Sequence, residues 1–425
     1  MNLIEELKWR GLIHQMYPGT EEFLATNRAT GYVGFDPTAP SLGIGNMVPI
    51  MLLVHFQRHG HHPIALVGGA TGRIGDPSGK SEERNLLTQE TLEYNVERVK
   101  AQLEKFLDFE STENPARLMN NYDWFKDWKV LDFLRDVGKH LTVSYMLAKD
   151  SVKSRMETGI SFTEFTYQLI QGYDFYHLHK EHGCNLQFGG SDQWGNITAG
   201  SDLIGKMLGP EEKVYAFTCP LITRSDGKKY GKSEKGNIYI DPEMTSAYRF
   251  YQFWINCTDA DIVQLAKIFS LKPIPEIRTL LDNQAGNPRS VQYALADEMT
   301  ERVHGAAALE RAKWASSVLF KKNAATELAQ LSEAEVADLF QGVPQGSISA
   351  GEMEAGINIV DFLAQVGATQ SKGQAIRSLT KDKSISINTV KITDRDHTLT
   401  AADVINNHFV LVNIGKKKRF LVYLN

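Results

Sequence analysis

Along the first half of the chain, short apolar runs alternate with segments whose apolar residues recur at helical spacing. That alternation predicts a mostly parallel sheet covered by helices. Residues 31–35 read as a strand and residues 36–41 as a loop, from their Pro and small polar content. A helix is expected from about Asn46 to His59, with Pro49 in its first turn and Gly60 at its end. Residues 63–67 read as a strand buried on both faces, followed by a glycine-rich loop over 68–80. Leu92, Val96, Val99, Leu103 and Phe106 then mark a helix over about 89–107, with Thr88 as its cap. Ser161 and Glu164 fit a capping box that opens a helix running to about Glu181, with Gly183 just beyond. A strand over 185–188 leads into a second glycine loop, 189–196, and another helix. Residues 223–235 form a lysine- and glycine-rich loop, helical periodicity dominates 241–320, and 321–352 reads as a mixed linker. Beyond about Met353, two short helices precede several strands.

Composition narrows the class. Of 425 residues, 42% are hydrophobic and 10% aromatic, which excludes wholesale disorder. No apolar run approaches the ~20 residues of a membrane helix. Cys184, Cys219 and Cys257 are too few and too scattered for a disulfide framework or a CxxC zinc site, so no zinc and a cytoplasmic location are expected. The balance of 46 basic and 51 acidic residues, a net of −5, argues against non-specific coating of nucleic acid. A local patch is still open to RNA: Val404 to Asn425 carries no acidic residue, and Lys416, Lys417, Lys418 and Arg419 stand together.

The loops carry the candidate chemistry. Gly79-Lys80-Ser81 looks like the end of a P-loop, but position 74, where that motif needs glycine, holds Ile74; neither loop carries GxGxxG. Two glycine loops, each after a strand, suggest a ligand crevice at the carboxyl edge of the sheet. Tyr167, Gln171 and Asp174 fall at i, i+4 and i+7, on one stripe of their helix. The stripe is either the solvent face of an amphipathic helix or a polar strip inside a pocket. Asp226-Gly227-Lys228-Lys229-Tyr230-Gly231-Lys232-Ser233 is either a solvated charged loop or a mobile phosphate clamp.

Together these segments resemble the bacterial tyrosyl-tRNA synthetases. The resemblance rests on residues 32–38, 67–80, 121–124, 161–175 and 189–196, and on Lys229-Tyr230-Gly231-Lys232-Ser233, which is similar to that family's form of the class I KMSKS signature. The segment from about Met353 resembles a small RNA-binding fold first named for a ribosomal small-subunit protein. The implied architecture is α/β: a Rossmann-like parallel-sheet catalytic domain (1–222), the KMSKS-type loop and connection (223–240), an α-helical anticodon-recognition domain (241–320), a linker (321–352) and a small α+β RNA-binding domain (353–425).

The resemblance further implies a two-step reaction, in which tyrosine and ATP give tyrosyl adenylate and pyrophosphate and the tyrosyl group then passes to the 3′ end of tRNA(Tyr). Tyr32 and Asp174 would hydrogen-bond the substrate phenol. Tyr167, Gln171 and Asp76 would hold the ammonium group, with Gln193 near the carboxylate. Gly34, Asp36, Gly45, Gly190 and Asp192 would line the adenosine site. Thr38 and Asn46 would act on the triphosphate, and Lys80, Arg84, Lys229 and Lys232 would neutralise the leaving pyrophosphate. Mg²⁺ would accompany ATP, held by phosphate oxygens. A homodimer is expected, with exposed apolar residues between Trp124 and Leu134 in its interface. Tryptophan is the runner-up substrate; the Tyr32–Asp174 pair argues against it. One signature departs from the family. Where the class I HIGH signature should stand, the chain reads Gly43-Ile44-Gly45-Asn46. An asparagine amide can place an N–H donor much where an imidazole does. Gly43 has no side chain with which to reach a phosphate.

Overall fold

The computed structural model describes residues 1–425 except 79–85, 154, 157–158, 226, 228–229, 234–235, 321–323, 330–335, 337–339, 341–342 and 416–417; the side chains of 232, 233, 236, 318–320 and 324 are also outside the description. The chain divides into two compact units. One comprises Met1–Met244 and Cys257–Leu295, the other Thr245–Asn256 and Ala296–Asn425. The helical stretch 241–320 is thus shared between them.

The first unit is built on six strands: β1 (Gln15–Met16), β2 (Thr30–Phe35), β3 (His62–Val67), β4 (Arg117–Asn120), β5 (Leu186–Gly190) and β6 (Tyr215–Cys219). Their spatial order is β1-β6-β5-β2-β3-β4, parallel throughout except for β1 against β6. The chain runs outward from β2 to β3 and β4, then returns to place β5 on the other side of β2. The order therefore reverses between β2 and β5, where an open α/β sheet leaves a crevice beyond its carboxyl ends. The helices are α1 (Leu3–Arg10), α2 (Thr20–Thr26), α3 (Ile44–Arg58), α4 (Gln89–Leu103), α5 (Tyr122–Phe125), α6 (Val130–Asp136), α7 (Val143–Leu147), α8 (Asp150–Lys153), α9 (Phe162–His182) and α10 (Trp194–Leu208). None of the described helices is long and apolar enough to cross a membrane.

Local sequence accounts for the elements that position the site. Apart from its first residue, β3 is buried along its whole length, as a run of apolar residues in a doubly covered sheet should be. Helix α3 starts two residues before the expected Asn46. Pro49 therefore lies in the second turn, where it has no N–H to give the carbonyl of Gly45. Thr88 caps α4 by accepting from Thr91 N–H at 3.2 Å. Ser161 caps α9 by accepting from Glu164 N–H at 3.2 Å. The other half of the expected box is replaced: Glu164 is buried and faces the buried Arg155, with 3.0 Å between Glu164 Oε2 and Arg155 Nη2. Helices α9 and α10 cross at Gly172 and Gly200, where a Cβ on Gly172 would stand 3.5 Å from the Gly200 nitrogen. That close crossing seats Phe175 in the core and turns the neighbouring polar stripe of α9 toward the sheet's carboxyl edge.

The second unit has a five-stranded sheet in the order Val390–Ile392, Ile385–Ile387, Phe409–Ile414, Lys418–Leu424, Gln345–Ile348, antiparallel except for the last pair. Its two faces bury different clusters. Phe362, Leu363, Leu379, Val410 and Val422 fill one; Leu328, Val336, Phe340, Phe409, Leu411 and Leu421 fill the other. Leu328, Val336 and Phe340 come from the stretch that composition marks as linker. Its glycines and charges hide a few widely spaced core positions.

Candidate active site

The side chains at the carboxyl edge of the first sheet come from the ends of four strands and one face of α9. Tyr32 points from β2 into the interior, 1% exposed, its ring 5.6 Å from that of Phe175. Its hydroxyl has no hydrogen-bond partner among the described residues. Burial, and then the neighbouring Asp174, push this phenol well above the usual tyrosine range, so it stays protonated and is a donor. An unpaired buried hydroxyl is costly. In a folded protein such a group is usually completed by water or by a ligand.

Asp174, 2% exposed, is the acceptor beside it. Asn121 Nδ2 donates to its Oδ2 at 3.0 Å and Trp124 Nε1 to its Oδ1 at 2.9 Å. Burial pushes its carboxyl up to about 8, against the opposing pull of those two donors. Asn121 is a hub. Its second amide hydrogen goes to Thr71 Oγ1 (3.0 Å), while its Oδ1 accepts from Ala70 N–H (2.6 Å). Thr71 donates to Asp36 Oδ1 at 2.6 Å, and Tyr167 donates to Asp36 Oδ2 at 2.8 Å. The polar stripe of α9 thus faces other polar groups of the protein and not the solvent. A continuous chain of hydrogen bonds joins Asp174, at the phenol end, to Tyr167. With its O–H directed at Asp36, the Tyr167 oxygen is oriented to accept.

A second set flanks this chain. Gln193 Nε2 donates to Asp76 Oδ2 at 2.7 Å, and Ser78 N–H to Asp76 Oδ1 at 2.9 Å. Asn196 Nδ2 donates to Gln171 Oε1 at 3.0 Å and to Gln193 Oε1 at 3.2 Å. Gln171, Gln193 and Asp76 therefore stand together with acceptor oxygens in common reach. Above them the backbone is bare. Gly34 and Gly45 are exposed, and a Cβ at either would meet nothing within 4 Å among the described residues. At Gly68 a Cβ would collide with the Asp36 carboxylate and the Thr71 hydroxyl, so only glycine permits that pair. Asp192 lies against Gly190, its Oδ1 2.6 Å from where a Cβ would stand. Thr38 is exposed, and its N–H donates to Asp36 O at 2.9 Å. Asn46 is exposed in the first turn of α3, its Oδ1 accepting from Gly43 N–H at 3.1 Å.

The structure thus brings Tyr32, Asp36, Asp76, Tyr167, Gln171, Asp174 and Gln193 into one polar neighbourhood, made of two hydrogen-bonded sets with Tyr32 beside Asp174. Lys80, Arg84 and Lys229 lie outside the described residues. The Lys232 backbone forms β7 (Lys232–Ser233), paired with β8 (Gly236–Asn237). Asn121, Trp124, Thr71 and Asn196 are hydrogen-bonding residues to which sequence reasoning assigned no part in the pocket. Asn121 follows β4 directly, and the end of a parallel strand was the signal available. Among the described residues, no group of three or more His, Cys, Asp or Glu could hold a metal ion.

The reversed strand order, the pocket at its switch point and the exposed glycines beside it define a class I synthetase fold. A family model described as tRNA synthetases class I (W and Y) matches residues 24–321, and one for the Tyrosine--tRNA ligase SYY-like C-terminal domain matches 335–422. The Tyrosine--tRNA ligase of Flavobacterium johnsoniae is 54% identical over 428 residues, 99% of each chain. That of Bacteroides fragilis is 51% identical over 430 residues, again 99% of each. The crystal structure of a C-terminally truncated mitochondrial tyrosyl-tRNA synthetase from Aspergillus nidulans superposes with a TM-score of 0.68 at 33% identity, covering 75% of this chain and 94% of that one. The chain belongs to the tyrosine–tRNA ligases.

Proposed function

We propose that this pocket reads L-tyrosine by its phenol and activates it with ATP, as the first half of tRNA(Tyr) charging for translation. The observation that carries the reading is the buried, unpaired Tyr32 hydroxyl beside the Asp174 carboxylate. A bound phenol accepts from Tyr32 and donates to Asp174, and both buried groups are then satisfied. Phenylalanine leaves the Tyr32 hydroxyl without a partner and gives Asp174 no donor beyond Asn121 and Trp124, and it is this kind of loss that makes hydroxyl-based rejection large; tyrosine–tRNA ligases are themselves the standard example of it. The indole of tryptophan has one donor and no acceptor to offer the pair.

At the other end of the amino acid, the ammonium group meets the Tyr167 oxygen, Gln171 Oε1 and the Asp76 carboxylate, with Gln193 beside the substrate carboxylate. Gly34, Asp36, Gly45, Gly190 and Asp192 form the adenosine wall, where bare backbone admits a nucleotide. The substrate carboxylate attacks the α-phosphate in line. No enzyme nucleophile is needed; placement and charge stabilisation lower the barrier. Thr38, Asn46, Lys80, Arg84, Lys229 and Lys232 are assigned to the triphosphate. Mg²⁺ travels with ATP on its phosphate oxygens.

The helical stretch 241–320, which the two units share, is assigned to the anticodon region of tRNA, and the basic C-terminal strands of the second unit to the long variable arm. The working form is a cytoplasmic homodimer joined through α6, where Val130 is 73% and Leu131 79% exposed. Exchange of labelled pyrophosphate into ATP, measured with tyrosine, tryptophan and phenylalanine side by side, tests the reading. Exchange with tyrosine alone is expected. Equal exchange with phenylalanine, or none with tyrosine, would remove it.

A further inference from the structure

Gly43 stands where the start of α3 meets the strand that leaves the lysine-rich loop. Ile44 N–H donates to Ile238 O at 3.2 Å and Ile240 N–H to Leu42 O at 3.0 Å. These two bonds bracket Gly43 and Tyr239, which form an isolated antiparallel bridge. Bonds from the flanking residues, rather than from the pair itself, mark the closer kind of antiparallel pair. Its Cα atoms are about 4.5 Å apart and its side chains project together on one face. Gly43 contributes nothing to that face, while Tyr239 contributes a half-buried phenol. Around a Cβ built on Gly43, the described residues place only Ile238 O at 3.4 Å and Asn46 Oδ1 at 3.9 Å within 4 Å. Among the described residues, the space that a side chain at 43 would fill is therefore open, and the pairing sets the Tyr239 phenol on the same face. Asn237 Nδ2 donates to the Tyr239 hydroxyl at 3.2 Å and holds the outer end of the ring.

The surroundings are those of a phosphate site. The exposed first turn of α3, with Gly45 and Asn46, lies at the carboxyl edge of β2. The β7–β8 hairpin leads into Tyr239 from the lysine-rich loop, and a Cβ on Gly231 would stand 3.2 Å from that of Ile44. A triphosphate seated at α3 would have Tyr239 on the flank that Gly43 leaves bare.

We propose that Tyr239 is a catalytic residue of the adenylation step, its hydroxyl donating to the ATP triphosphate in place of the side chain missing at Gly43; this rests on the ligase reading above. A neutral O–H donor gains strength as negative charge gathers on the departing pyrophosphate, so it stabilises the transition state more than the ground state. An aromatic ring across from a strand glycine also has a packing role. The test must therefore keep the ring.

Tyr239→Phe does so and removes only the hydroxyl. In tyrosine-dependent ATP–pyrophosphate exchange, Tyr239→Phe is expected to lower kcat at least about tenfold while the KM for tyrosine stays within twofold, against the roughly 10²–10³-fold lost with a single oxyanion-hole donor. Gly43→His in the Tyr239→Phe protein should restore most of that loss, whereas Gly43→His alone should change the rate less than threefold. A Tyr239→Phe rate within twofold of the parent overturns the proposal. So does a Gly43→His gain that is the same in both backgrounds, because the two positions would then act independently. Absence of exchange in the unsubstituted protein would instead strike the ligase reading, and the proposal with it.

Discussion

Tyr32 and Asp174 show how a residue can be wrong for stability and right for function. Each carries a polar group into the core, and neither is fully used there without a ligand. Asp174 makes this measurable through pH. Its folded carboxyl is pushed up to about 8 by burial, from an ordinary value of 3.8. Between those values the folded protein holds a proton that the unfolded chain has lost, so stability falls as pH rises through that window. Asp174→Asn removes this dependence. In thermal melts of the ligand-free protein, the variant's advantage should be near zero at about pH 4 and grow up to about pH 8. A constant difference across that range would show that the folded carboxyl is not raised. Of this residue set, the stripe Tyr167–Gln171–Asp174 was legible from helical spacing, but not whether it faced water or a pocket. That depended on the crossing at Gly172 and Gly200, which sets the rotation of α9. Asn121 and Trp124 were harder to see. Their work is to hold Asp174, and a side chain that acts through another leaves no spacing of its own.

Among the helices and strands, α9 matters most, because it carries three of the pocket's residues on one face. Its start is held twice: by the Ser161 cap and by the buried Arg155–Glu164 pair. Removing one partner of a buried pair strands the other charge and costs about 3–5 kcal/mol. Arg155→Ala should therefore lower the urea midpoint and weaken tyrosine binding together, since the first turn of α9 leads straight to Tyr167. An unchanged midpoint would mean the pair is dispensable. The sequence placed this helix well, within a residue at each end, but assigned Glu164 to the cap. A capping box and a buried ion pair use the same residue at the same position, and only tertiary contact decides between them. The expected start of α3 erred for a related reason. Pro49 reads as a first-turn marker, whereas Gly43 in an extended conformation begins the helix without a side-chain cap.

Across the molecule, the strand order could be read only in class. Alternating strands and helices implied a parallel sheet, but the reversal between β2 and β5 depends on long-range pairing that no local pattern encodes. The 321–352 stretch shows the same limit: Leu328, Val336 and Phe340 join a core with Phe409 and Leu421, far along the chain. The exposed Leu131 and Val130 on α6 carry the assembly prediction. Leu131→Glu should shift the protein from dimer to monomer in sedimentation at micromolar concentration, and reduce tRNA charging with it. A dimer that survives the charge would place the interface elsewhere.

In the proposed function Tyr32 and Asp174 recognise the substrate by its hydroxyl, and Tyr32→Phe puts that to the proof with one atom. Calorimetric titration with tyrosine and with phenylalanine, into the parent and the variant, isolates the hydroxyl–hydroxyl coupling. The variant should bind tyrosine about tenfold more weakly, bind phenylalanine no worse than the parent does, and melt no lower, since it loses only an unpaired buried group. Equal weakening for both amino acids, or no weakening for tyrosine, would contradict recognition through this pair.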